Sequence, residues 1–218
     1  MIGLLYIMGT VFGVLAAILA GGTVPSDIVL ISENLARFEL SVLLLVFMGF
    51  SLSAMAAFTY PVFRHVDKAL AMGVVIFRGA LEGSGYILSA IGWLFLVGLG
   101  SELMVTGVDS LTLTSMADRV IWMLDKFSSI FTLIFIIGAS MLYVLFYRSR
   151  LIPRWLSLWG LIAAVPYVAP YLLGFFDIAS NLELLTVPLA LQEMVMALWL
   201  IIRGFDADVI QSYSRPNA

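Results

Sequence analysis

Residues 69–100 read ALAMGVVIFRGALEGSGYILSAIGWLFLVGLG, a stretch with only two charged side chains, Arg78 and Glu82. A hydrocarbon core about 30 Å thick is crossed by about 20 apolar residues of α-helix, so this stretch is long enough to span a bilayer. A charged side chain at the centre of a membrane helix costs about 2.5–3.5 kcal/mol on insertion scales, so such residues usually keep a partner or a task. Arg78 and Glu82, one helical turn apart, therefore indicate both the solvent of this fold and where to look for its chemistry.

Five further segments qualify by the same count: about 2–21, 38–62, 119–147, 155–175 and 183–203. With 69–100 they predict an all-α, polytopic membrane bundle of six transmembrane helices, a single membrane domain over 1–218. Composition agrees. The chain is 62% hydrophobic and 11% charged, with mean hydropathy +1.10, whereas a soluble domain carries about 25% charged residues. A net charge of −3 leaves no basic surface for nucleic acid. With no cysteine there is no disulfide, iron–sulfur cluster or thiolate metal site. The single histidine, His65, lies in a polar loop and cannot alone build a haem or zinc centre. Lys68 and Lys126 sit at span ends, which argues against a retinal Schiff base. No metal and no cofactor are expected. The first apolar run lacks a basic leader and is too long for a signal-peptide core, so it reads as a retained helix.

Basic residues in the loops set the orientation. Arg64, Lys68, Arg148, Arg150, Arg154, Arg203 and Arg215 fall on the side of the termini. Arg37, Arg119 and Lys126 fall on the other, together with the acids Asp27, Glu33, Glu102, Asp109, Asp118, Asp125, Asp177 and Glu183. Both termini are expected in the cytoplasm. The loops on the acidic side are longer. Residues 22–37 turn amphipathic after Gly21, Gly22 and Pro25. Val120, Ile121, Leu124 and Phe127 are periodic, as in an extension of the fourth helix or a surface helix. The five tryptophans fall mostly near span ends, as interfacial anchors do. Tyr60–Gly73 and Tyr147–Gly160 share a tyrosine, a basic turn and an apolar helix, which hairpin constraints explain without an internal repeat.

Helical rise converts position into depth. Arg78 lies ten residues past Lys68, about 15 Å in, and Glu193 lies ten residues before Arg203, at a similar depth in the sixth span. Glu82 is one turn further. If the third and sixth spans meet, two carboxylates face one guanidinium near the midplane, and one of them is left to hold a proton or a cation. Arg78, Glu82, Tyr86 and Ser89 share one helix face at spacings of four, four and three, while Leu81, Leu88, Ile91 and Leu94 fill the other. Gln192 adds an amide beside Glu193. Thr10, Ser51, Ser53 and Tyr167 reach similar depths. A polar pocket built on Arg78, Glu82, Glu193, Gln192 and Tyr86 is the candidate site. Gly79 and Gly83, and Gly9 and Gly13, have the spacing that lets helices approach closely. Pro166 and Pro170, and Pro188 about a turn before Glu193, are expected to bend the fifth and sixth spans.

Three functional classes fit these residues. The first is a small transport, sensing or ligand-binding protein, with a small molecule, ion or lipid as ligand. The second is a structural or accessory subunit, in a homo-oligomer or beside a partner chain, whose buried charges clamp helices. The third is a lipid-modifying enzyme. Catalytic signatures are missing. There is no HExxH. Gly83-Ser84-Gly85 follows Glu82 rather than a glycine, and no histidine lies in a later span to activate the serine. Asp177 lacks an aspartyl-protease setting. No catalytic residue is assigned.

Three stretches carry a resemblance: Tyr60-Pro-Val-Phe through Phe77-Arg78-Gly-Ala-Leu-Glu82-Gly83; Tyr147-Arg-Ser-Arg-Leu-Ile-Pro-Arg-Trp155 on to Gly160; and Leu189-Ala-Leu-Gln192-Glu193 through Trp199, followed by Arg203-Gly-Phe. Together they resemble a family of bacterial multi-pass membrane proteins known only as a domain of unknown function. The likeness covers nearly the whole chain and implies six spans and a bacterial inner membrane. It implies no activity. The basic turn at 148–154 is expected to sit against anionic headgroups, at about 1 kcal/mol per basic residue.

Overall fold

A computed structural model describes residues 1–106, 111–178 and 181–214. Asp109 and Arg215, counted above among the loop charges, lie outside them. The first two spans are α1 (Ile2–Ala20) and α3 (Leu35–Phe63). The third is continuous from Lys68 to Thr106 but has three parts: α4 (Lys68–Val74), a π-helical segment (Val75–Leu81) and α5 (Glu82–Thr106). The remaining spans are α6 (Leu111–Ser149), α7 (Arg154–Phe175) and α8 (Val187–Ile202), the last entered through a 3-10 turn at Glu183–Thr186. Two short helices, α2 (Ile28–Glu33) and α9 (Ala207–Ser214), complete the described residues.

Among the described residues, six helices are long and apolar enough to cross a membrane. Their outer faces carry large apolar side chains that water would not tolerate in such number. Leu81, Leu88, Ile91 and Leu94 of the third span all point outward, as their spacing predicts. The chain is a multi-pass membrane protein.

The spans form a closed ring in chain order. α1 packs on α3, α3 on the third span, the third span on α6, α6 on α7, α7 on α8, and α8 returns to α1. The third and sixth spans therefore stand on opposite sides of the ring rather than side by side. Small residues permit the closest approaches. A Cβ at Gly9 or Gly13 would meet Leu52 or Met48 of α3, and one at Gly83 would collide with Ser53 of α3. At the α1–α8 seam, a Cβ at Gly3 would fall 2.8 Å from the carbonyl oxygen of Ala197.

The two ends of the ring differ. At the end carrying Arg64, Lys68, Arg148, Arg150, Arg154 and Arg203, here the basic end, the interior is filled. Met55, Phe63, Val74, Phe146, Leu156 and Met196 form a dense core, with Phe63 set edge-on to Phe146 at 5.0 Å. The turn from α6 to α7 contributes Leu151 and Ile152 to that core and leaves its arginines outside. Arg148 pairs with Asp67 at 2.9 Å, and Asp67 also caps α4.

At the opposite, acidic end, α2 tucks its buried Ile28 and Ile31 beside α5, started by Asp27, which accepts from the amides of Val29 and Leu30. Two of that end's basic residues are spent on helix C-termini, where a cation meets free carbonyls and the negative pole of the helix dipole. Arg37 donates to the Ile18 carbonyl of α1. Lys126 donates to the Gly174 and Phe175 carbonyls of α7 and pairs with Asp177.

Three local expectations change. The fourth span begins at Leu111 rather than at 119, because the helix that carries Val120, Ile121, Leu124 and Phe127 runs back through 111–118. Pro188 does not bend α8. It sits in the first turn, where a missing backbone donor costs nothing. Trp93 is no interfacial anchor; it is buried among Leu96, Leu124 and their neighbours, because its face of α5 turns into the ring.

Candidate functional site

The polar cluster lies across the middle of the ring and is assembled by four spans. Arg78 Nη1 donates to both carboxylate oxygens of Glu82 at 3.1 Å. Its Nη2 donates to the Tyr6 hydroxyl of α1 at 2.6 Å and to Glu193 Oε1 of α8 at 2.9 Å. Tyr6 in turn donates to Glu193 Oε1, and Tyr143 of α6 donates to the same oxygen at 3.1 Å. Tyr86 donates to Glu82 at 3.4 Å. The guanidinium carbon lies 4.6 Å from the centre of the Phe135 ring, a cation–π contact that strengthens where water is excluded. Arg78 is 1% exposed and Glu82 is fully buried.

Local backbone structure places Arg78. Through Val75–Leu81 the helix widens to a π-helix, with the Glu82 amide reaching back to the Phe77 carbonyl. π-Segments are rare and occur mostly as single turns, frequently at functional sites. This one is held from both sides. Ser53 of α3 donates to the Gly79 carbonyl at 2.8 Å. On the α6 side, Gly138 lets the chains touch: a Cβ there would fall 2.9 Å from the Arg78 amide nitrogen.

Above the cluster, toward the acidic end, the ring encloses a cavity of about 470 Å³. Glu82 and Glu193 form its floor. Tyr86, Trp93, Phe131, Phe135, Tyr167 and Tyr171 give it aromatic walls, and Thr10, Ser89, Ser128 and Thr132 add hydroxyls. Arg78 does not line it; the guanidinium lies behind the two carboxylates. Below the floor is the apolar core of the basic end, so the cavity does not open toward that end.

Of the residues proposed from sequence, Arg78, Glu82, Tyr86 and Glu193 come together. The third and sixth spans meet through the Arg78–Glu193 ion pair across the ring, not by helix packing. Gln192 goes elsewhere. The helix turns it about 100° away from Glu193, and its amide donates to the Leu156 carbonyl of α7 at 3.0 Å. Ser51 bonds its own helix, and Ser84 faces outward. Thr10 and Tyr167 reach the cavity. Sequence reasoning missed Tyr6 and Tyr143. A tyrosine in an apolar span carries no charge signal, and depth counting puts Tyr6 only about 6 Å into its span, short of the depth of Glu193.

The chain belongs to the family described as domain of unknown function DUF4386, which it matches over residues 1–204. No curated protein and no solved structure matches it.

Proposed function

We propose that this protein binds a small ligand within the membrane, as a transporter or sensor does, at the cavity floored by Glu82 and Glu193. The observation that carries the reading is the cavity itself. A space of about 470 Å³ falls within the 300–1,000 Å³ usual for ligand sites, and such sites combine apolar walls with a few convergent polar groups. Intramembrane ionisable residues are costly and mark ligand or proton paths more often than chance. In this reading Arg78 neutralises one carboxylate, and the surplus carboxylate exchanges a proton. Glu193 also offers a contact point: every hydrogen bond it accepts from the described residues ends on Oε1, which leaves Oε2 for a ligand.

The competing reading treats the same residues as a clamp. It draws on the number of spans Arg78 joins, since one guanidinium ties α1, the third span and α8 together. Water access separates the two readings. The chain has no cysteine, so single cysteines can be introduced without background. Ser89→Cys and Ser128→Cys should react with a membrane-impermeant maleimide applied from one side, and outward-facing Leu88→Cys should not. If neither cavity position reacts, the cavity is dry and the clamp reading replaces this one.

We further place the protein in a bacterial inner membrane with the basic end in the cytoplasm. The positive-inside bias supports this, as does the engagement of Arg37 and Lys126 with helix ends on the other side. The cavity then opens toward the outer face, and labelling should occur from that face.

A further inference from the structure

We infer that the cavity takes a membrane-partitioning organic cation, a bulky apolar body with one positive centre, and that it enters through the seam between α1 and α8. This rests on the ligand-site reading above and names the class of ligand.

Charge gives the sign. The cluster holds two carboxylates and one guanidinium, and the guanidinium is withdrawn from the cavity behind its partners. An entering anion would meet Glu82 and Glu193 with no exposed basic group to receive it. A cation would meet Glu193 Oε2. The walls give the body. Tyr86 and Phe131 stand edge to face at 5.0 Å, and Tyr167 stacks on Tyr171 at 5.5 Å. Aromatic faces attract a cation through their quadrupoles and bury apolar surface at the same time.

The route follows from one stripe on α1. Gly3 and Tyr6 face α8, against Ala197 and Glu193. Thr10, Val14 and Ala17 continue the same stripe at helical spacing, yet they line the cavity instead. Val14 is 52% exposed, and Ala190, about a turn before Glu193 on α8, is exposed and lines the cavity too. The seam that is sealed at the basic end thus opens at the acidic end, at a depth where lipid tails lie. A solute dissolved in the bilayer reaches the carboxylates without crossing water.

Tetraphenylphosphonium and tetraphenylborate are near-isosteric and opposite in charge, and they test this directly on the full chain in lipid nanodiscs. Tetraphenylphosphonium should bind saturably and tetraphenylborate should not. Glu193→Gln should weaken phosphonium binding at least tenfold. Ser89→Phe, which fills the cavity away from the ion cluster, should abolish it and guards against a misfolded Glu193 variant. Ala190→Trp, at the seam, should slow association and dissociation together. Equal binding of both ions, or phosphonium binding untouched by Ser89→Phe, overturns the inference. No phosphonium binding alongside one-sided labelling of Ser89→Cys overturns the cation class and leaves the ligand-site reading standing. Loss of both removes both.

Discussion

Arg78 and Glu193 belong to spans that stand opposite one another in the ring, and their side chains meet across it at 2.9 Å. The bridge is made by the length of an arginine, not by helix packing. It spans the centre of the bundle beneath a cavity, so it carries both mechanical and chemical consequences.

The first concerns stability. Arg78→Ala would leave fully buried Glu82 without its counter-ion. Removing one partner of a buried pair costs about 3–5 kcal/mol, whereas replacing both with apolar groups of similar volume is often neutral. Thermal unfolding in detergent should therefore show a large loss for Arg78→Ala and substantial recovery in Arg78→Met/Glu82→Leu. A wild-type melting temperature for Arg78→Ala would remove the ion pair from any structural account.

Tyr6 and Tyr143 both serve Glu193, but not equally. Tyr143→Phe deletes one donor to the Glu193 carboxylate, a single bond of the charged class. Tyr6→Phe deletes a donor to Glu193 and an acceptor of Arg78, and bonds to charged groups are worth about 1.5–3 kcal/mol. Tyr6→Phe should be the more destabilising of the two in the same unfolding assay. The reverse order would contradict the hydrogen-bond arrangement.

Gly138 and Gly98 make a matched pair for the π-segment. A Cβ at Gly138 would press on the backbone of Arg78, and overpacking of this kind costs about 1–3 kcal/mol. A Cβ at Gly98 meets nothing within 4 Å, and alanine in a helix interior gains about 0.5–1 kcal/mol over glycine. Gly138→Ala should lower the melting temperature and Gly98→Ala should hold or raise it.

How much of this was legible beforehand differs by level. The six spans follow from lengths of apolar sequence, and their observed limits depart most where a helix runs on past the expected bilayer edge, at Thr106 and Leu111. Arg78, Glu82 and Tyr86 follow from one helix face, and Glu193 from depth. What depth cannot supply is azimuth. Gln192 and Glu193 share a depth, but one helical step turns the first toward α7 and the second toward Arg78. The π-segment was also hidden, because it depends on what α3 and α6 present to it, Ser53 and Gly138, which is tertiary information.

Lys126 gives a prediction remote from the cluster. It holds the last carbonyls of α7, so Lys126→Met should loosen that helix end. Amide exchange over 170–177 should quicken, with a stability loss of about 1.5–3 kcal/mol for charge-assisted bonds. Asp177→Asn should change little, because the Asp177 side chain is 76% exposed and such surface pairs contribute about 0–1 kcal/mol. Equal effects would place the stabilisation in the ion pair rather than in the helix end.

The ring closes where its first span meets its sixth, which sets the order of events during biosynthesis. Arg78 enters the bilayer 115 residues ahead of Glu193, accompanied by Glu82 and by a Tyr6 hydroxyl with no acceptor. Until α8 arrives, the face of α1 that carries Gly3 and Tyr6 has no helix packed on it. The sixth span thus closes the ring and brings Glu193, the last member of the cluster to be made, to the Tyr6 hydroxyl and to Arg78.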